Sequence, residues 1–226
     1  MLWALGDPLS FVLLLVAFVL AITARGVIQA TTAARLGDRG PAREGLLTPD
    51  PRRHLDPFGA IAAAIAGVGW GRTLGQVDRR RRGALIAITV LPSAVLVLVG
   101  LALVAGFTAR TGLALGTEPS ALLRQGAAPL ALDARALLLG GAMWLFVGLL
   151  TLVPLPPLDG GRLLFGLAPR TLGWQKAEHY LVERNYGIAA LLILLVPFGG
   201  SRTLLLSVLD VVATPLIRLA RLASGA

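Results

Sequence analysis

The sequence contains no cysteine, one lysine and two histidines, and it has few charged side chains of any kind. Without cysteine, disulfides and thiolate metal sites are excluded, and the redox state of the compartment cannot be inferred. Charged residues make up 15% of the chain and hydrophobic residues 56%, with a mean hydropathy of +0.78. This balance excludes a disordered chain and disfavours an ordinary soluble domain. It indicates an all-α polytopic membrane protein, so the lipid bilayer is an expected partner.

The net charge of +9 comes from basic residues placed between the apolar segments. No nucleic-acid-binding motif accompanies them, so no nucleic acid is expected as a partner. If residues 58–70 do not cross the membrane, sixteen basic residues fall on one side and four on the other. Cytoplasmic loops carry such an excess, which predicts an outside N-terminus and a cytoplasmic C-terminus. The bias towards Arg, Ala, Leu and Gly, together with helical spans, favours a bacterial cytoplasmic (inner) membrane.

The apolar segments predict a single membrane-embedded domain over residues 1–226 with about five transmembrane helices. Residues 58–70 are apolar but too few to span, so a re-entrant or interfacial segment is predicted there. A short strand is predicted around residues 46–48, and a loop at 199–202 joins the last two helices. The predicted helices cover residues 8–36, 83–107, 136–153, 187–198 and 203–219.

Residues 151–162 form the most informative stretch, because they place a lone carboxylate, Asp159, among prolines and glycines at the end of an apolar segment. An ionisable group at the margin of a membrane is costly to hold, which makes it a candidate functional residue. Asp210 is a second carboxylate within a predicted helix, and no chemistry is assigned to it.

Several segments, in order along the chain, resemble the site-2 protease family of intramembrane zinc metalloproteases. They are residues 34–38, 47–51, 54–59, 69–72, 153–162 and 183–187. The positions that match the family's motifs are His54, Asp56, Thr151, Pro154, Pro156, Pro157, Asp159, Gly160 and Gly161. The resemblance implies a site-2-protease-like core of helices.

The family resemblance also implies a mechanism, in which a His-Glu-x-x-His motif and a distant aspartate bind zinc and the Glu acts as general base. Counting back along the first helix from residues 37–38 places these three motif positions at Arg25, Gly26 and Gln29. Arg is cationic and offers no lone pair, Gly has no side chain, and a Gln oxygen is a poor zinc ligand. The family's substrate-binding asparagine falls at Thr151. The resemblance therefore predicts a degenerate member without intact catalytic residues and without a metal cofactor, Asp159 being a vestigial ligand.

Arg25 lies within the first helix, where an unpaired charge would be costly. If the family fold is kept, Asp159 points at the space that zinc would fill. We expect the Arg25 guanidinium to fill that space and to pair with Asp159. The alternative is that Arg25 extends to the lipid headgroups and ignores Asp159.

Three functions remain open from the sequence. The first is an inactive pseudoprotease that binds or regulates other membrane proteins through their transmembrane segments. The second is an active zinc metalloprotease with non-standard ligands, for which His54 and the pair His179 and Glu183 are the available candidates. The third is a structural subunit or a small transporter that uses the same helix bundle.

Overall fold

The structure, a computed structural model, describes residues 1–74, 82–113, 116, 118–127, 129–197 and 203–224. No β-strand occurs in these ranges, which contain eleven α-helices, two 3₁₀ turns (Leu2–Gly6 and Pro119–Ala121) and one π-helical turn (His179–Glu183). The helices are α1 (Pro8–Arg35), α2 (Gly40–Arg43), α3 (Pro51–His54), α4 (Pro57–Ala66), α5 (Arg82–Thr111), α6 (Leu122–Gln125), α7 (Leu132–Thr151), α8 (Asp159–Leu167), α9 (Leu172–Glu178), α10 (Tyr186–Leu195) and α11 (Leu204–Ser224).

Three of these helices, α1, α5 and α7, are long and apolar enough to cross a membrane. The prediction of a helical membrane protein is confirmed by them, and they correspond to the predicted helices 8–36, 83–107 and 136–153. Of the predicted closing pair, α10 is a shorter apolar helix, and α11 extends from Leu204 to Ser224. The predicted joint at 199–202 and most of the arginine run at 79–82 lie outside the described residues. The total of five spans stays a prediction.

Helices α5 and α7 pack closely because glycines remove side chains from their crossing. A Cβ on Gly100 would lie 2.5 Å from the Leu145 nitrogen and 2.8 Å from the Gly141 oxygen. Such small residues let helix backbones approach each other within a membrane. The core around α7 is closed by fully buried Leu139, Met143, Phe146 and Leu150.

The start of α1 is held by a polar network around Asp7, which caps the helix. Asp7 accepts a hydrogen bond from the Ser10 hydroxyl at 2.6 Å, and the Arg135 Nη1 atom lies 3.0 Å from its Oδ1 atom. The Ser10 hydrogen bond and the nearby Arg135 charge lower the pKa of Asp7 below its ordinary value. Because Arg135 belongs to α7, this ion pair joins the first turns of α1 and α7.

Residues 55–72 form a loop whose two ends lie side by side. Helix α4 begins after Asp56, whose carboxylate accepts a hydrogen bond from the Gly59 nitrogen at 2.8 Å, and ends at Gly67, where φ is +90°. The chain then runs back until Gly71 forms an antiparallel bridge with Leu55. Next to this bridge, the Arg72 nitrogen donates to the His54 oxygen at 2.7 Å. The two ends of the predicted 58–70 segment are therefore neighbours, as in a re-entrant segment.

The strand predicted around residues 46–48 is wrong. These residues form a turn after α2, in which Gly45 adopts a φ of +69°. The Leu46 nitrogen donates to the Pro41 oxygen at 2.9 Å, so the backbone is satisfied by the turn itself. Within the described ranges no extended segment lies beside this turn to form a ladder with it, and a strand needs such a partner.

Candidate functional site

Asp159 is the first residue of α8 and is 1% exposed. It follows the proline-rich turn that contains Pro154, Pro156 and Pro157, and the peptide bond between Pro156 and Pro157 is cis. Gly160 and Gly161 lie against the backbone of this turn, and a Cβ on either would collide with it. The turn and the two glycines together place the Asp159 carboxylate inside the bundle.

The Arg25 guanidinium lies against this carboxylate. Arg25 is 1% exposed, and its Nη2 atom donates to the Asp159 Oδ2 atom. Its Nη1 atom lies 3.5 Å from the oxygen of Arg72, at the end of the returning segment. The structure thus brings together α1, α8 and the residues after α4 around one buried ion pair.

A second arginine flanks the same carboxylate from the next turn of α8. The Arg162 Nη1 atom is 4.0 Å from the Asp159 Oδ1 atom, and its side chain is partly exposed. Burial lowers the pKa of Arg162 to about 10, so it remains cationic at neutral pH. With two guanidinium groups close to it, the Asp159 carboxylate already has cationic neighbours, which disfavours binding of a further cation there.

Gln29 lies one helical turn after Arg25 and is also 1% exposed. Its side-chain oxygen, the Arg25 Nε atom and the Asp159 Oδ1 atom make no hydrogen bond with the part of the chain that the structure describes. Polar atoms buried in this way are costly unless they are paired.

Gly26, at the position that corresponds to the family's Glu, faces His54. The His54 Nε2 atom lies 3.0 Å from the Thr48 oxygen, and the other side of the imidazole covers Gly26. His54 is buried, whereas Asp56, two residues later, caps α4. His54 therefore packs against α1 and Asp56 caps α4, so each residue has a structural contact in the turn between α3 and α4.

Thr151 at the end of α7 is fully buried beside α5. Its hydroxyl is 2.9 Å from the Ser93 hydroxyl and 2.9 Å from the Gly148 oxygen. Sequence reasoning missed Ser93, although a serine within a long apolar helix is a signal for a buried hydrogen bond. It also missed the proximity of Arg72 and Arg162 to the ion pair, because neither belongs to the metal-ligand positions of the family.

The residues at this centre do not fit the zinc ion that the family resemblance implies. A catalytic zinc takes three ligands from His, Asp, Glu or Cys, and of the family's metal-ligand positions Arg25, Gln29 and Asp159 only Asp159 belongs to that set. No group of three or more such side chains that could hold a metal occurs within residues 1–74, 82–113, 116, 118–127, 129–197 and 203–224. His179 is on the π-helical turn, where its Nδ1 atom lies 2.5 Å from Glu183 in an exposed pair.

The chain is similar to a protein of Bacillus subtilis (strain 168) named "Putative zinc metalloprotease YwhC". The two are 30% identical over 204 residues, which is 87% of this chain and 86% of that protein. The chain belongs to the site-2 protease family. It is a degenerate, metalloprotease-like member of that family and a membrane protein. No protein-family model matches the chain, and no solved structure matches it.

Proposed function

We propose that this member of the site-2 protease family is catalytically inactive and that it binds or regulates other membrane proteins. The proposal depends on one observation, the buried contact between the Arg25 guanidinium and the Asp159 carboxylate. In a zinc enzyme the aspartate would bind the metal, and here a guanidinium takes that oxygen. Because Gly26 has no side chain, no group at that position can accept the proton of an attacking water.

Support for the loss of the metal comes from three features of the same centre. Arg25 repels a divalent cation, and Arg162 adds a second positive charge next to Asp159. Gln29 offers a neutral amide oxygen, which zinc rarely selects. The expectation that the protein has no metal cofactor is therefore part of the proposal.

Metal analysis of the purified protein tests the inactive state. We expect far less than one equivalent of zinc per chain after purification from zinc-supplemented cells without a chelator. Asp159→Ala is the matched control, because a zinc ion held at this centre would be lost with that carboxylate. Stoichiometric zinc in the wild type that disappears in Asp159→Ala would overturn the proposal.

The binding role is proposed from the family's fold, in which a transmembrane segment of a client lies beside the centre. Residues 72–74 continue from the bridge between Leu55 and Gly71 and approach the ion pair through Arg72. A photo-crosslinker at Thr73 should therefore capture the transmembrane segment of another membrane protein. A crosslinker at the exposed Leu219 on α11 is the control, and equal yields from both positions would count against a binding site near the centre.

An active zinc metalloprotease is the second candidate, favoured by the name of the Bacillus subtilis relative. It requires ligands from outside the motif positions in addition to Asp159 and predicts cleavage of a membrane-embedded substrate that depends on zinc. The same metal analysis decides between the two candidates.

We also propose the bacterial cytoplasmic membrane as the location, with the N-terminus outside and the C-terminus in the cytoplasm. The distribution of arginines supports this orientation. The return of the chain between Leu55 and Gly71 supports it as well, because a re-entrant segment keeps residues 35–54 and 72–74 on one side.

A further inference from the structure

Three exposed arginines lie where the chain leaves α1. Helix α1 contains 28 residues, which rise about 42 Å, close to the thickness of a bilayer with its headgroup layers. Its last residue, Arg35, therefore lies at the level of the lipid headgroups. Arg39 and Arg43 follow shortly after it, and all three side chains are exposed. We call this group the juxtamembrane arginines.

The short helix α2 holds two of these arginines at its ends. The Arg43 nitrogen donates to the Arg39 oxygen at 3.2 Å, and Pro41 between them is buried. Residues four apart in a helical turn lie on the same side of it. The turn thus packs on the protein through Pro41, while its two guanidinium groups are left accessible from outside.

The acidic residues of the same connection are engaged with other groups. Asp38, Asp50 and Asp56 each accept a hydrogen bond from a backbone nitrogen, at 2.9, 3.0 and 2.8 Å respectively. Glu44 lies 3.6 Å from the Arg72 guanidinium. Among the residues that the structure describes, no carboxylate lies within ion-pair distance of a juxtamembrane arginine. Their positive charge is therefore not neutralised by these parts of the chain.

The anions available at this depth of a membrane are the phosphate groups of the lipids. A guanidinium group binds a phosphate through two parallel hydrogen bonds, and basic residues next to a membrane span attract anionic lipids. Leu36 and Leu47 of the same connection are exposed apolar side chains, which suit the boundary between headgroups and acyl chains.

We propose that the juxtamembrane arginines form a binding site for anionic phospholipids, whose phosphate groups supply their counter-ions. Such a site needs only that α1 spans the membrane, and it would be present in an inactive and in an active protein alike. It would hold the connection after α1 against the headgroup layer.

A comparison of two headgroups tests this site. The full-length protein in a neutral detergent is titrated with phosphatidylglycerol or with phosphatidylcholine of the same acyl chains, and native mass spectrometry measures the bound lipid. We expect phosphatidylglycerol to bind roughly tenfold more tightly or better, because each arginine near the headgroups contributes several-fold. Equal affinities for the two lipids would overturn the proposal.

Two double variants with the same change in net charge locate the site. Arg39→Gln with Arg43→Gln should remove most of the preference for phosphatidylglycerol. Arg53→Gln with Arg72→Gln is the matched control, because Arg53 donates to the Glu44 oxygen at 2.9 Å and Arg72 lies beside the Glu44 carboxylate. This control should change the preference little. Equal losses in both variants would mean that the lipid responds to net charge alone, which would overturn the proposal.

A variant that retains the charge separates lipid binding from an effect on folding. Arg39→Lys with Arg43→Lys should keep most of the preference, because an ammonium group also attracts phosphate. A loss as large as that of the glutamine pair would overturn a site based on charge.

The salt dependence of the wild type decides the matter if the glutamine pair does not fold. Phosphatidylglycerol that the wild type retains through gel filtration at about 0.1 M salt should be largely released at about 1 M, because the screening length falls from about 10 to about 3 Å. Retention that does not change with salt would overturn the proposal.

Discussion

Arg25 and Asp159 neutralise each other in a place where neither charge would be stable alone. Both side chains are almost fully buried, and moving an ion out of water costs several kcal/mol even in a relaxed protein. Their contact makes the burial tolerable and joins α1 to the start of α8. The pair therefore contributes stability only while both partners are present.

A double-variant cycle measures this dependence. Asp159→Ala should lower the free energy of unfolding in detergent by about 3–5 kcal/mol, because it leaves the Arg25 charge buried without its carboxylate. Asp159→Ala combined with Arg25→Leu should be clearly less damaging than Asp159→Ala alone. The measurement is denaturant titration followed by the fluorescence of the four tryptophans.

An exposed ion pair provides the control for this cycle. Arg110 and Asp133 are 2.5 Å apart, but both side chains are at least half exposed. Arg110→Leu should therefore change the free energy of unfolding by only about 0–1 kcal/mol. If Asp159→Ala combined with Arg25→Leu were as unstable as Asp159→Ala alone, that result would contradict a stabilising role of the buried pair.

The proximity of Arg25 and Asp159 could be predicted from the sequence because the family motif fixes both positions and a helix has a known period. The contact between His54 and Gly26 could not. It depends on how the turn after α2 places Thr48 and on how residues 55–71 return, and both are tertiary effects without a sequence period. Ser93 was missed for the same reason, since its partner Thr151 is on another helix.

At the scale of elements, a carboxylate of α11 holds the connection between α5 and α7. The Asp210 carboxylate accepts hydrogen bonds from the Ser120 nitrogen at 2.9 Å and from the Ser120 hydroxyl at 2.6 Å. No role was assigned to Asp210 from the sequence, because its partner is 90 residues away. These two bonds fix the 3₁₀ turn Pro119–Ala121 on α11.

Graded substitutions test this link. Asp210→Ala removes both acceptors and should destabilise the protein by about 1–3 kcal/mol, with faster amide hydrogen exchange in Pro119–Ala121. Ser120→Ala keeps the bond from the backbone nitrogen and should have a smaller effect. The hydrogen exchange of α1 should not change in either variant, and an equal increase throughout the protein would argue against a local link.

The three helices that could span a membrane were predicted closely, whereas the shortest elements were not predicted. The predicted helices 8–36, 83–107 and 136–153 differ from α1, α5 and α7 by at most four residues at either end. A long apolar run reports directly on a helix in a membrane. Short elements such as α2, α3 and the turn at residues 46–48 depend on capping groups and neighbours, so local composition does not determine them.

For the whole molecule, the property to be measured is which side of the membrane each connection between the helices faces. The chain has no cysteine, so single cysteines can be introduced without first removing any. Glu44, Arg72 and Leu113 are exposed and lie in three different connections. These positions report on the proposed orientation and on the proposed re-entrant path of residues 55–72.

Labelling with a membrane-impermeant maleimide on intact cells should distinguish these sites. Leu113→Cys should react from outside, whereas Glu44→Cys and Arg72→Cys should react only after the cells are opened. Reaction of Arg72→Cys from outside while Glu44→Cys stays protected would mean that the intervening segment crosses. If instead Glu44→Cys and Arg72→Cys reacted from outside and Leu113→Cys stayed protected, the true orientation would be the inverse of the proposed one.

Helix α1 is held by an ion pair at its start and by a second one about two-thirds of the way along its length. Asp7 is tied to Arg135 of α7, and Arg25 is tied to Asp159 of α8, about 27 Å further along the axis by helical rise. A piston-like shift of this helix would break both clamps at once. Because the two ion pairs tie α1 to two different helices, we expect its position along its own axis to be fixed relative to both of them.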